Sequence, residues 1–168
     1  MIRKIALLFA LPLFFAVGAI SPAHAVSPHF IFADGDLNPN GTLTVDFKEA
    51  GLGGNQLIDY LLTADGTATY VCVNKGGANP SASNKTTVNG PVSASGTFAS
   101  GKNGNVTASL TVSPPPSDIT CPKGQNLQLA SVSYQNVLLT DTTNDEQIAV
   151  DGGSFTSGCL LPNVRGAC

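Results

Sequence analysis

The chain has 168 residues, a formal net charge of −3 and only 11% charged side chains. A charge-poor, slightly acidic chain without a basic cluster does not attract nucleic acid or an anionic membrane surface. Its regular apolar pattern excludes a disordered tail, and its length suits one domain with a real core.

Arg3 and Lys4 lead into an apolar run over residues 5–20, and Ala23-His24-Ala25 supplies a small-x-small cleavage site. That order predicts a secretory signal peptide over 1–25. The run contains Pro12 and is shorter than the roughly 20 residues of a spanning helix. No cysteine stands at the cleavage point, which argues against a lipoprotein. The expected mature chain, 26–168, keeps 6 basic against 11 acidic residues, a net of −5. It shows no apolar tail and no sorting motif, so secretion without a lasting membrane anchor is expected.

The four cysteines, Cys72, Cys121, Cys159 and Cys168, all lie in the mature part. An even count in an exported chain predicts disulfides. Three connectivities are open; Cys72–Cys121 and Cys159–Cys168 are favoured, one tying a strand to a loop, the other closing a short terminal loop. No Cys-x-x-Cys occurs, and His29 is the one histidine beyond the leader, so a zinc site is disfavoured.

Residues 30–33 predict the first strand. Asp34, Asp36 and Asn38 then place side-chain oxygens at alternate positions, like the start of a calcium loop. Pro39 stands where such a loop needs glycine and Val45 where it needs glutamate, so a polar turn is favoured over calcium, and no cofactor is expected. Leu43, Val45 and Phe47 alternate with Thr42, Thr44 and Asp46, the pattern of a half-buried antiparallel strand. Three glycines over 48–54 disfavour a helix there.

Residues 56–64 and 67–74 predict two strands, and Asp65-Gly66 between them predicts a type I′ hairpin. Residues 67–74 carry no charge on either face, which places them centrally in a sheet with Cys72 inward. Residues 75–85 form a long loop. Asn74, Lys75, Asn79 and Asn84, in and beside it, are candidate ligand contacts. A short strand over 86–88 ends at Asn89-Gly90-Pro91. Residues 92–98 and 106–112 alternate around Gly101-Lys-Asn-Gly104 and predict a second hairpin with one hydroxyl-rich face.

Pro114-Pro115-Pro116 stops the sheet and predicts a rigid crossover carrying Cys121. Over 127–140 the apolar parity switches twice, which predicts bulges or a bent strand. Residues 147–150 predict the last full strand, and a loop-like tail follows from about 156. About eight short strands without a helical period predict an all-β antiparallel sandwich of immunoglobulin-like type, with a barrel as the alternative.

Several segments resemble a group of small exported β-rich proteins from actinobacteria and related bacteria. They are Phe47-Lys-Glu-Ala-Gly-Leu-Gly53, Ala68-Thr-Tyr-Val-Cys-Val-Asn-Lys-Gly-Gly77 and Gly90-Pro-Val-Ser-Ala-Ser-Gly-Thr-Phe98. Asn84-Lys85, Cys121-Pro-Lys-Gly124 and Ala130-Ser-Val-Ser-Tyr134 extend the likeness, which covers roughly 42–144. It implies secretion and a Cys72–Cys121 pair, and it brings no activity. The tail with Cys159 and Cys168 departs from the pattern.

A Ser-His-acid set lacks a suitable imidazole, and paired cysteines leave no thiolate nucleophile. The acids Asp34, Asp36, Asp65, Asp141, Asp145 and Glu146 fall in predicted turns, where carboxylates are solvated; Asp59 is the exception. An enzyme, such as a small carboxylate-dependent hydrolase, is therefore disfavoured. A binding or surface-interaction module with an extracellular protein or cell-surface partner is the leading expectation. A structural matrix component is the second. Sugar binding, with Tyr60 and Tyr134 as the candidate platforms, is the third.

Overall fold

The computed structural model describes residues 27–74 and 84–168. The leader expected over 1–25, together with Lys75 and Asn79, lies outside the described residues. Eight strands follow in order: β1 His29–Leu37, β2 Leu43–Ala50, β3 Leu57–Asn74, β4 Lys85–Ala99, β5 Val106–Val112, β6 Gln125–Asp141, β7 Glu146–Ala149 and β8 Ser154–Thr156. They form two antiparallel sheets, one in the order β1-β2-β5 and one in the order β4-β3-β6-β7, with β8 also on β6. The sheets pack face to face as a β-sandwich and, among the described residues, do not close into a barrel. Leu43, Val45 and Phe47 of β2 meet Ile58, Tyr60 and Leu62 of β3, and Val132, Tyr134 and Leu139 of β6, in one core. The Phe47 and Tyr60 rings touch at a tilt, with centroids 4.7 Å apart, and Phe30 and Phe98 pack against them.

The Asp65-Gly66 hairpin does not form. β3 runs through both residues as one strand of 18, paired to β4 on one side and β6 on the other. Each residue answers a tertiary demand instead of a turn. A side chain on Gly66 would begin 2.8 Å from the Pro115 ring, so glycine is there to let the proline crossover lie against the strand. The Asp65 carboxylate accepts a hydrogen bond from Asn136 Nδ2 at 2.7 Å, and Asn136 is the left-handed residue (φ 52°) of a bulge in β6.

Likewise Asn89-Gly90-Pro91 is no turn, since β4 continues through it with Gly90 opposite Gly66 and Pro91 opposite Asp65. The second expected hairpin also fails. β4 and β5 belong to different sheets, and residues 100–105 cross between them. Ser100 fixes that corner: its hydroxyl donates to Gly53 O at 2.6 Å and accepts from Gln56 N at 2.8 Å.

The two parity switches of β6 are two bulges, at Ala130 and around Asn136, where the register against β3 slips. The proline segment carries the chain from the three-stranded to the five-stranded sheet, and Tyr70 OH anchors it by donating to Pro115 O at 2.8 Å. Cys121, at its end, is bonded to the buried Cys72, with Cα atoms 5.5 Å apart. Cys159 and Cys168 are also bonded.

The tail is more than a loose end. Leu160 N donates to Ala130 O at 2.7 Å and Ser157 N to Val132 O at 2.9 Å, so the tail is strapped to β6. Val71 and Val73, on the side of β3 away from the main core, are buried there with Ala130 and Ala167 beneath Leu161 and Val164.

Replacing Cys72 and Cys121 by serine lowers the unfolding free energy by about 4 kcal/mol, because that bridge restrains a long loop of the unfolded chain. Replacing Cys159 and Cys168 costs about 2.5 kcal/mol, since the closed loop is short. Urea titration of both variants checks this order; equal losses would contradict the loop-length argument.

Candidate binding face

The five-stranded sheet has one side in the core and one side away from it. Alternate residues of β3 define the outer side, and the register carries it across the neighbouring strands. Ser95, Leu61 and Thr140 form one row, ending at Gln147; Ser93, Thr63 and Leu138 form the next, ending at Ala149. Then come Pro91, Asp65, Gln135 and Ser154, and after them Asn89, Thr67, Ser133 and Thr156. Thr87, Thr69 and Ser131 form the last row before the tail covers the sheet. Asp65 is the only charged side chain in these five rows.

Hydroxyls meet across strands, as between Thr69 and Thr87 at 3.0 Å. Thr97 donates to the Asp59 carboxylate, which sits at the edge of a depression of about 500 Å³ lined also by Leu61, Ser95 and Thr142. The hydroxyl-rich character expected for residues 92–98 thus belongs to a whole sheet face rather than to a hairpin.

The candidate aromatics do not contribute to this face. Tyr60 and Tyr134 are 1% and 0% exposed. Each uses its hydroxyl inside the sandwich, Tyr60 OH donating to Glu49 Oε2 and Tyr134 OH to Gly41 O, both at 2.7 Å. Their even positions in alternating strands point them inward, so the reading as sugar platforms is corrected. Asn74 is exposed at the end of β3, and Asn84 donates to Gln125 Oε1 at 3.1 Å.

The calcium-like residues take separate tasks. Asp34 and Asp36 lie exposed on β1. Asn38 points its amide nitrogen at Thr42 O, Thr42 Oγ1 and Thr44 Oγ1, so it serves there as a donor. Asp34 faces Asp46 across the β1–β2 pair and bridges Asp151, a row of like charges that costs some stability. Among the described residues no group of three or more His, Cys, Asp or Glu is placed to hold a metal.

Sequence reasoning missed one acid, Glu49, and misread another, since Asp141 is not a solvated turn acid but is buried at the end of β6. Glu49 continues the inward parity of Leu43, Val45 and Phe47, and that alternation was the available signal. Glu49 and Asp141 are both 0% exposed. Asp141, at the end of β6, already accepts from Thr143 N, Asn144 N and Asn144 Nδ2. It lies within hydrogen-bonding reach of Glu49, whose Oε1 has no N–H or O–H donor. Burial pushes Glu49 up to about 7; the Tyr60 hydrogen bond acts the other way, and Asp141 adds to the rise. Burial and the Glu49 carboxyl in turn hold the Tyr60 hydroxyl well above its ordinary range. With Asp141 supplied by three donors, the shared proton belongs on Glu49, aimed at Asp141. A shallow cavity of about 440 Å³ lies outside, lined by Leu52, Ile58, Thr143 and Asn144. Neither carboxyl is exposed to it, so the pair can tie β2, β3 and β6 together but cannot touch a substrate in this conformation.

No family model matches the chain, and neither a curated protein nor a solved structure is significantly similar to it.

Glu49 keeps its proton in the folded state up to about pH 7, whereas its ordinary value is 4.5. Between those values the folded state binds more protons than the unfolded one. The stability this group contributes is therefore complete below pH 4.5, declines as pH rises and is gone above about 7. The loss is on the order of 3 kcal/mol. Urea denaturation from pH 4.5 to 8.5 should show a downward slope in the wild type that Glu49→Gln removes, because the amide mimics the protonated acid. Parallel slopes in the two proteins would place the proton elsewhere.

Proposed function

We propose that the chain is exported, loses residues 1–25, and acts as a non-catalytic binding module built on an immunoglobulin-like sandwich. Its ligand lies against the outer face of the five-stranded sheet. The observation that carries this reading is the run of in-register rows between Ser95 and Ser131, which bring hydroxyls and amides together over five strands with one charge among them. A face dressed with threonine and serine loses little on giving up its water to a partner that offers matching polar groups. Export is supported by the leader-like first residues and by two disulfides. The described residues contain no helix long and apolar enough to cross a membrane. The buried Glu49–Asp141 pair is closed off from the surface and takes no part in this reading. The partner class is an extracellular protein or a cell-surface component.

The test is retention of purified 26–168 on cell-wall material and secreted proteins of the producing organism. Saturable retention is expected. Thr63→Glu with Ser133→Glu, two charges in separate rows of the face, should weaken it at least about ten-fold, or 1.4 kcal/mol. Thr107→Glu, on the exposed side of β5, should leave it unchanged. Equal retention of all three proteins would overturn the assignment to this face.

A further inference from the structure

The five-stranded sheet ends at β4, and among the described residues its outer edge meets no strand. The other margins are short or covered. β7 has four residues, and the free side of β1 receives Asp151, whose N–H donates to Ala33 O at 2.9 Å. β5, the end strand of the other sheet, has only seven residues, and its Leu110 packs into the core against the inner side of Gly96. By contrast β4 is 15 residues long and its only charge is Lys85, at one end.

Natural edges of that length are blunted by charge or proline. Here Pro91 does this once, in mid-strand, and residues 92–99, Val-Ser-Ala-Ser-Gly-Thr-Phe-Ala, run on without either. Val92, Ala94 and Phe98 pack only part of their surface on the core margin.

We propose that this edge pairs with the same edge of a second copy of the chain, antiparallel, with Ser95 on the two-fold axis. The occupant is read from the segment's self-complementarity. Centring on Ser95 sets Ser93 against Thr97 of the second copy on the outer side. On the inner side it sets Val92 against Phe98 and Ala94 against Gly96. Bulky apolar residues meet at both ends, small ones meet at the axis, and hydroxyls meet hydroxyls. The same register ends the ladder at Pro91, opposite Ala99, where the missing N–H does no harm. It leaves the two Lys85 residues beyond opposite ends, so no like charges face each other.

Such a dimer joins two outer faces into one surface of twice the width, which strengthens any multivalent contact without new chemistry. A contact made of one strand pair and a narrow apolar margin is small, so the dimer is reversible and concentration-dependent. The inference goes beyond the binding-face proposal and stands or falls separately, because Thr63 and Ser133 lie on other strands.

Sedimentation velocity from 5 to 500 µM should show a monomer giving way to dimer, and Ser95→Lys, which puts two ammonium groups on the axis, should abolish it. Ser95→Cys should form a disulfide-linked dimer through residue 95 under mild oxidation at least ten times faster than Thr87→Cys, an exposed β4 position outside the paired segment. Far-UV circular dichroism and peptide mapping confirm that each variant keeps the fold and both native disulfides. A wild type that stays monomeric at 500 µM overturns the proposal. So does a dimer that Ser95→Lys leaves intact, or cross-linking no faster at 95 than at 87.

Discussion

β3 is hydrogen-bonded on both edges along nearly its full length, and that double pairing governs the sandwich. A strand of 18 residues with partners on each side cannot shift its register without breaking two ladders. Its neighbours therefore carry the adjustments. β6 bulges twice to follow it, and Asn136 takes a left-handed backbone to do so. The proline crossover is pressed against Gly66 and held by Tyr70, and the first disulfide is bonded to its Cys72. Glu49 and Tyr60 connect the opposite sheet to the same strand.

How much of this was legible follows from the range of each signal. Alternation is local, and it located β2, β5 and the bulges of β6 well. The favoured disulfide pairs agree with the structure because one joins a central strand to a loop and the other spans only nine residues. Asp65-Gly66 was misread because a type I′ turn and a long paired strand with a close crossover can use the same dipeptide. What separates them is Pro115 and Asn136, 49 or more residues away, and turn chemistry cannot see that far. The β4–β5 hairpin failed for the same reason. The Gly101–Gly104 turn exists, with Gly104 N donating to Gly101 O, but Ser100 directs the chain into the other sheet before pairing begins.

The site shows a related asymmetry. Tyrosine is ambiguous from sequence because it can stack at a surface or spend its hydroxyl inside a core. Parity already placed Tyr60 with Ile58 and Leu62, and buried oxygens on Glu49 and Gly41 supply the partners that make burial tolerable. Glu49 was hidden by its residue type. A buried glutamate needs hydrogen-bond partners for its oxygens and its proton, and here Tyr60 and Asp141 supply them. Tyr60 comes from the next strand, but Asp141 comes from β6, remote in sequence, so the alternation could flag the position but not explain it.

The outer face was the hardest feature to see, because it belongs to no single strand. Thr63, Ser93 and Leu138 become neighbours only once the bulge at Asn136 has set the register of β6. The treatment of this face by the rest of the chain is informative. Where it turns apolar, at Val71, Val73 and Ala130, the tail crosses over and is closed by its own disulfide. Where it is lined with hydroxyls and amides, the described residues leave it open. Among the described residues the tail covers this sheet at the end where valines cluster. Water is a tolerable neighbour for the hydroxyl rows and a costly one for the valines, which accounts for the position of the cover. The result is one sheet with a covalently secured end and an open end, and the open end runs without a break to the edge of β4 that meets no strand among the described residues.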